Sequence, residues 1–172
     1  AIDSTAIASE FSKSLFGTTQ EIGSMETSKG IAIALHSLDI SARRELLLGF
    51  QEKAKIFRSV PIFKFNNDSI FKNSFGKLLP KLASTRYTIL DHYLVFSEQE
   101  KILEDVISDY TNKNSLNSSK AFQNTIETLS DEASFQKTLD TKDLATTLNE
   151  LLDTNFSEKD LNAYKNSVVQ II

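Results

Sequence analysis

The chain has 172 residues, 40% of them hydrophobic and 24% charged, with a formal net charge of −4; this is a single-domain length and too apolar for a fully disordered protein. It contains no cysteine, no tryptophan, five glycines and two histidines, His36 and His92. Disulfides, thiolate metal sites and cysteine nucleophiles are excluded, and the composition argues against most catalytic machinery.

In chain order, Ile7, Phe11 and Leu15 recur every fourth residue between an Asp3 or Ser4 cap and Gly17, which predicts a short first helix. Residues 17–30 are rich in Gly, Ser and Thr and read as a loop, so that 1–30 form an N-terminal arm and 31–172 a single helical domain. The run Ile31–Leu38 fits strand or helix. Ser41 opens a predicted helix over about residues 42–58, with Leu47, Phe50, Ala54 and Phe57 on one stripe, and Pro61 ends it. Residues 62–71 read as a small hairpin around Asn66-Asn67-Asp68 or, equally, as an aromatic crossover over helix ends.

The longest helix is expected over about residues 73–96, from Leu78, Leu82, Ile89, Tyr93 and Phe96, with Pro80 near its first regular turn. Ser97 and Glu100 form a capping-box pattern before Ile102, Leu103, Val106, Ile107 and Tyr110, the clearest periodicity in the chain. A polar loop over 111–119 precedes a helix starting near Ser119. Shorter helices follow over about 141–152 and from Ser157 to the end. The expected fold is therefore all-α: an antiparallel helical bundle of four main helices plus short extra ones, with either the small hairpin or the aromatic crossover at about residues 60–71.

Charge is divided unevenly. Residues 43–86 hold ten basic and three acidic residues, including every arginine of the chain, whereas residues 97–172 have a balance of −7. Arginine pairs directionally with carboxylates and phosphates, so Arg43, Arg44, Arg58, Lys64, Lys72, Lys77, Lys81 and Arg86 are the candidate partner-docking residues. The alternative is that this basic window offsets the acidic half within one fold. The acidic half would also repel a nucleic-acid backbone.

No catalytic, metal-binding or cofactor-binding residue is assigned. Asp91 and His92 are neighbours on a predicted helix and would point about 100° apart, so His92 reads as a surface or boundary histidine. His36 has only Asp39 at helical spacing. Glu98, Glu100, Glu104, Asp105 and Asp109 form acidic ridges without the Glu-x-x-His pairs of a dimetal bundle or the spacing of a calcium loop. Asn67-Asp68-Ser69, Asn117-Ser118-Ser119 and Asn155-Phe156-Ser157 match glycosylation sequons.

With a one-residue gap around Thr85, Leu82-Ala83-Ser84-Thr85-Arg86-Tyr87-Thr88-Ile89-Leu90 resembles the Ala-Ser-Tyr-Leu-Arg-Tyr-Asp-Leu element of the PsbQ family of photosystem II extrinsic subunits. Tyr164, in Asp160-Leu161-Asn162-Ala163-Tyr164, is similar to a tyrosine near the start of that family's last helix. The resemblance implies a four-helix bundle with the matching element on its second long helix, nearer the algal PsbQ-prime form. It further implies a mature chain freed from a lumen-targeting presequence, which accords with the start at Ala1, and residence in the thylakoid lumen.

The expected function is that of a non-catalytic protein docking on a larger complex through its basic residues. On the resemblance, that complex would be photosystem II, whose manganese, calcium and chloride site the protein would support without ligating it. The alternative is a secreted or periplasmic bacterial effector or immunity protein that binds a single protein target. Either reading expects no cofactor, no nucleic acid, at most a peripheral membrane association, and a monomer outside the complex.

Overall fold

A computed structural model describes residues 4–65, 67, 69–75, 79, 83–115, 118–127 and 137–139, together with 145, 146, 148, 149, 155, 157, 159 and 169–171. The chain divides into two compact units, Ala1–Asn112 and Lys113–Ile172. The first unit is mixed α/β and is built on one six-stranded antiparallel sheet, so the expected all-α bundle is corrected.

The chain enters through helix α1 (Ser4–Phe16), which Gly17 stops as expected: its N–H bonds the Lys13 carbonyl at 2.8 Å, and a Cβ there would lie 2.8 Å from that oxygen. The expected loop is instead strand β1 (Thr19–Thr27), which forms a hairpin with strand β2 (Gly30–Ser37). Helix α2 (Ile40–Leu47) follows, capped by Asp39, whose carboxylate accepts from the Ala42 N–H at 3.0 Å. The helix expected over 42–58 ends there. After a single 3-10 turn at Leu48–Phe50 the chain becomes strand β3 (Gln51–Phe57), paired with β4 (Val60–Phe65). Arg58 and Ser59 both adopt positive φ (47° and 67°), the geometry that lets a two-residue turn follow the strand twist.

Helix α3 (Ile70–Phe75) precedes strands β5 (Arg86–Leu90) and β6 (Tyr93–Ser97). These two strands stand where the longest helix was expected, and β5 carries most of the segment that resembles PsbQ. The expected hairpin about Asn66-Asn67-Asp68 is corrected as well, because β4 pairs with β3 and β5 and α3 follows it. The sheet order is β1-β2-β6-β5-β4-β3, so a meander of four strands meets the first hairpin along β2 and β6.

The cause of these misreadings is burial. Leu94–Ser97 are buried residue after residue, and a strand buried on both faces shows no alternation to separate it from helix. The first face of the sheet packs Ile33, Leu35, Phe65, Tyr87, Leu94 and Phe96 against Phe11 and Leu15 of α1, Leu47 of α2, and Ile70 and Phe71 of α3. The opposite face packs Ala32, Ile62, Leu90 and Val95 against Ile102, Leu103 and Ile107 of helix α4 (Glu100–Thr111). That helix agrees with its periodicity. Its expected capping box does not form: Gln99 is the N-cap without a side-chain bond, and the Ser97 hydroxyl lies 3.3 Å from the Ile31 carbonyl and 3.4 Å from the Gln99 N–H.

The second unit contains helix α5 (Lys120–Ile126), where a helix was expected near Ser119, and a two-stranded antiparallel sheet of β7 (Lys137–Leu139) and β8 (Val169–Ile171). Val169–Ile171 thus pair as strand where the terminal helix was expected. Most of the rest of that predicted helix, and most of the one over 141–152, lies outside the described residues. Among the described residues no helix is long and apolar enough to cross a membrane.

Candidate functional site

The eight basic residues singled out for docking do not form one free surface. Arg43 of α2 is 5% exposed and donates to the Ser14 carbonyl near the end of α1 and to the Thr18 hydroxyl. A guanidinium at a helix C-terminus meets carbonyls that the helix leaves unpaired. Burial holds its pKa below the usual arginine value, with the Asp39 charge opposing that shift. Arg43 is therefore a strut between α1 and α2.

Arg58 donates to the Thr111 hydroxyl at 3.0 Å and the Asn112 side-chain oxygen at 2.9 Å, tying the β3–β4 turn to the end of α4. Arg86 lies 3.3 Å from Glu100 in the first turn of α4, and Lys64 pairs with Glu52 at 2.9 Å across β3 and β4. Lys55 and Lys29, which were not singled out, also pair with α4, through Glu104 and Asp105. Glu104 holds the Lys55 ammonium above its usual pKa. Two residues of the basic window, Lys55 and Arg86, thus meet the acidic ridge of α4 inside one fold. Arg44 and Lys72 remain exposed and, among the described residues, make no ion pair. Lys77 and Lys81 lie outside the described residues.

The register of β2 and β6 sets His36 opposite Tyr93 and brings together the two histidines that the sequence analysis treated separately. The His36 ring stacks on Tyr93 with centroids 4.8 Å apart and meets His92 edge-on at 6.4 Å. No local spacing signals this cluster, because its members come from strands far apart in sequence. Among the described residues no group of three or more His, Cys, Asp or Glu is placed to hold a metal ion.

The two edges of the sheet differ. Edge strand β3 carries the exposed Lys55 and is broken by a bulge between residues 53 and 55, two devices that discourage further pairing. Edge strand β1 has nine residues, TQEIGSMET, without lysine, arginine or proline. Its irregularity lies between Thr19 and Glu21, which leaves 21–27 in unbroken register.

Flanking bonds fix which way its backbone groups point. The Ser37 N–H bonds His92 of the β5–β6 turn at 2.9 Å, whereas the Leu38 N–H bonds Thr18 at 3.0 Å. Even-numbered residues of β2 therefore face β1, and the pairs Glu21–His36, Gly23–Ala34, Met25–Ala32 and Thr27–Gly30 exchange the ladder bonds. The N–H and C=O groups of Ile22, Ser24 and Glu26 consequently point outward, where no strand pairs with them among the described residues. Local sequence held a signal for this edge in the missing lysines and prolines of residues 19–27, but it is readable only once the segment is known to be an edge strand.

No curated protein and no solved structure matches the chain. Residues 5–169 match a family described as protein of unknown function (DUF3352). Neither that match nor the sheet-rich fold supports the photosystem II and thylakoid assignment that the PsbQ resemblance implied. By a match spanning nearly its whole length, the chain belongs to the DUF3352 family.

Proposed function

We propose that the protein is a non-catalytic docking domain that binds another polypeptide by strand addition at β1. The observation that carries this reading is the contrast between the two sheet edges. β3 carries lysine and a bulge within its paired length, whereas β1 carries no lysine or proline, keeps 21–27 in unbroken register and turns the backbone groups of Ile22, Ser24 and Glu26 outward. An added strand draws affinity from main-chain hydrogen bonds, and the side chains beside it set the specificity.

Hydrogen exchange on the purified complex tests the proposal. Binding should slow exchange at Ile22, Ser24 and Glu26, and Ser24→Lys, which places a charge on the edge without removing a ladder bond, should weaken binding by at least tenfold. Unaltered exchange along β1 in the complex rejects it. A second reading keeps the expected basic docking in reduced form, through Arg44 and Lys72 on the helical layer, which are exposed and make no ion pair among the described residues. It predicts a footprint on α2 and α3, with binding that weakens as salt rises.

A further inference from the structure

We propose that the strand added at β1 is β1 of a second copy of this chain, antiparallel and centred on Ser24. This inference rests on the strand-addition reading and names its occupant. The first reason is backbone parity. The outward groups belong to even-numbered residues, so only registers that set even opposite even bring donors and acceptors together. Centred on Ser24, the pairs Ile22–Glu26, Ser24–Ser24 and Glu26–Ile22 each exchange backbone hydrogen bonds, and 21–27 are paired in full.

Charge gives the second reason. Glu21 and Glu26 are both exposed, and no cation lies on the strand. Opposing Glu21 to Glu26 would set odd against even and mismatch the hydrogen-bonding groups, while the even-on-even registers centred on Glu21 or Glu26 would set like carboxylates directly opposite each other. In the Ser24-centred register Glu21 faces Thr27 and Glu26 faces Ile22, and like charges directly opposite one another are avoided.

Shape supplies the third. Gly23 is exposed, and among the described residues nothing lies within 4 Å of the position a Cβ would take there. The same register sets Met25 of the second copy opposite Gly23, in a non-hydrogen-bonded pair where side chains approach most closely. Met25 packs partly on the α4-side core of its own copy, and the partly exposed remainder of a flexible thioether suits such a gap. Each copy therefore offers a knob and a space at matching distances from the two-fold axis, as an isologous interface requires.

Sedimentation of the full chain from about 1 µM to about 1 mM tests the inference, since one strand pair forms a small interface whose occupancy depends on concentration. The expected result is a monomer–dimer equilibrium in which Ser24→Lys and Ser24→Pro each raise the dissociation constant at least tenfold. Proline at 24 removes only an outward donor and is tolerated on a strand edge, and an unchanged circular dichroism spectrum and melting temperature confirm that the fold survives. Met25→Ala should weaken the dimer less, and Ser24→Cys should yield a disulfide-linked dimer on oxidation.

A chain that stays monomeric throughout, or a dimer indifferent to both Ser24 variants, overturns self-pairing. Hydrogen exchange on the monomer then separates this failure from that of the docking reading. Fast exchange at Ile22, Ser24 and Glu26 leaves a free edge for a different polypeptide, whereas slow exchange means the edge is already covered and rejects both.

Discussion

The two faces of the sheet are held by different physics. The face under α1, α2 and α3 is closed by aromatic packing. Phe96 meets Phe71, Phe65 and Tyr87 with ring centroids 5.0, 5.2 and 5.5 Å apart, and Phe16 and Phe75 extend the network to the helices. The face under α4 is lined by smaller side chains on β2, Gly30, Ala32 and Ala34, which let the helix lie close. Its rim is tied by Lys29, Lys55, Arg58 and Arg86, and the Tyr110 hydroxyl donates to Asp91 in the β5–β6 turn. Large rings need no electrostatic help to stay in register. One amphipathic helix on a shallow bed of alanine gains orientation from charges at its edges, although exposed ion pairs contribute little stability individually.

Deleting a ring should show the largest difference between the faces. Phe96→Ala should lower unfolding stability by about 3–5 kcal/mol, measured by urea denaturation, since it opens a cavity among at least three aromatic partners. A loss below about 1 kcal/mol would mean that the aromatic face is not the stronger one.

Next is the close approach beneath α4. Gly30 has a φ of 144°, and a Cβ there would lie 2.7 Å from Ile102 Cδ1. Gly30→Ala should cost about 1–3 kcal/mol, chiefly backbone strain because the methyl end of Ile102 can move. Hydrogen exchange should quicken in α4 more than in α1. Equal change in the two helices would break the distinction between the faces.

Alkaline pH acts on both. Burial pushes the Tyr87 phenol above its usual value of 10.0, and the hydrogen bond to Asp91 raises Tyr110, as Glu104 raises Lys55. Each group holds its proton more tightly when folded, so unfolding releases protons. The stability from these groups is complete below their unfolded values, near pH 10, and is lost as pH rises beyond them. Tyr87→Phe should flatten the decline in melting temperature between about pH 9.5 and pH 11 more than Tyr110→Phe does, because desolvation of a buried phenol outweighs one exposed bond. The reverse order would place the alkaline weakness on the α4 face.

The smallest effect belongs to a single tie. A double-mutant cycle on Lys29 and Asp105 should return a coupling of about 0.2–1 kcal/mol that shrinks as salt is raised. A coupling above about 2 kcal/mol would show that the rim does more than orient the helix.

Legibility in the sequence followed the range of the interactions. Helices α1 and α4 were readable because Phe11 and Leu15, and Ile102, Leu103 and Ile107, repeat at helical spacing within a few residues and each pattern has its own start or stop. Gln51–Phe57 contains good helix formers and continued a helical stripe, yet the turn at Arg58 and Ser59 folds it onto β4. Tyr87–Leu90 and Tyr93–Phe96 are dense in β-branched and aromatic residues, with Asp91-His92 between them, which is the composition of a hairpin. Their apolar residues also satisfy helical spacing, and that ambiguity hid the two strands. The surroundings of the candidate docking residues were hidden for a related reason: a window of positive charge reveals neither which cations face solvent nor which meet the acidic ridge of α4.

By itself the sequence determined the chemistry that a cysteine-free chain with two histidines cannot perform, the positions of α1 and α4, and the opposed charges of its two halves. These are matters of composition or of neighbours within about one or two helical turns. Only the tertiary structure decided that the middle of the chain is sheet, that β2 joins β6, that Arg43 is a buried strut, and that β1 is an edge strand of the described sheet. Strand pairing and ion pairing join residues distant along the chain, and their free energy appears only when both partners are in place.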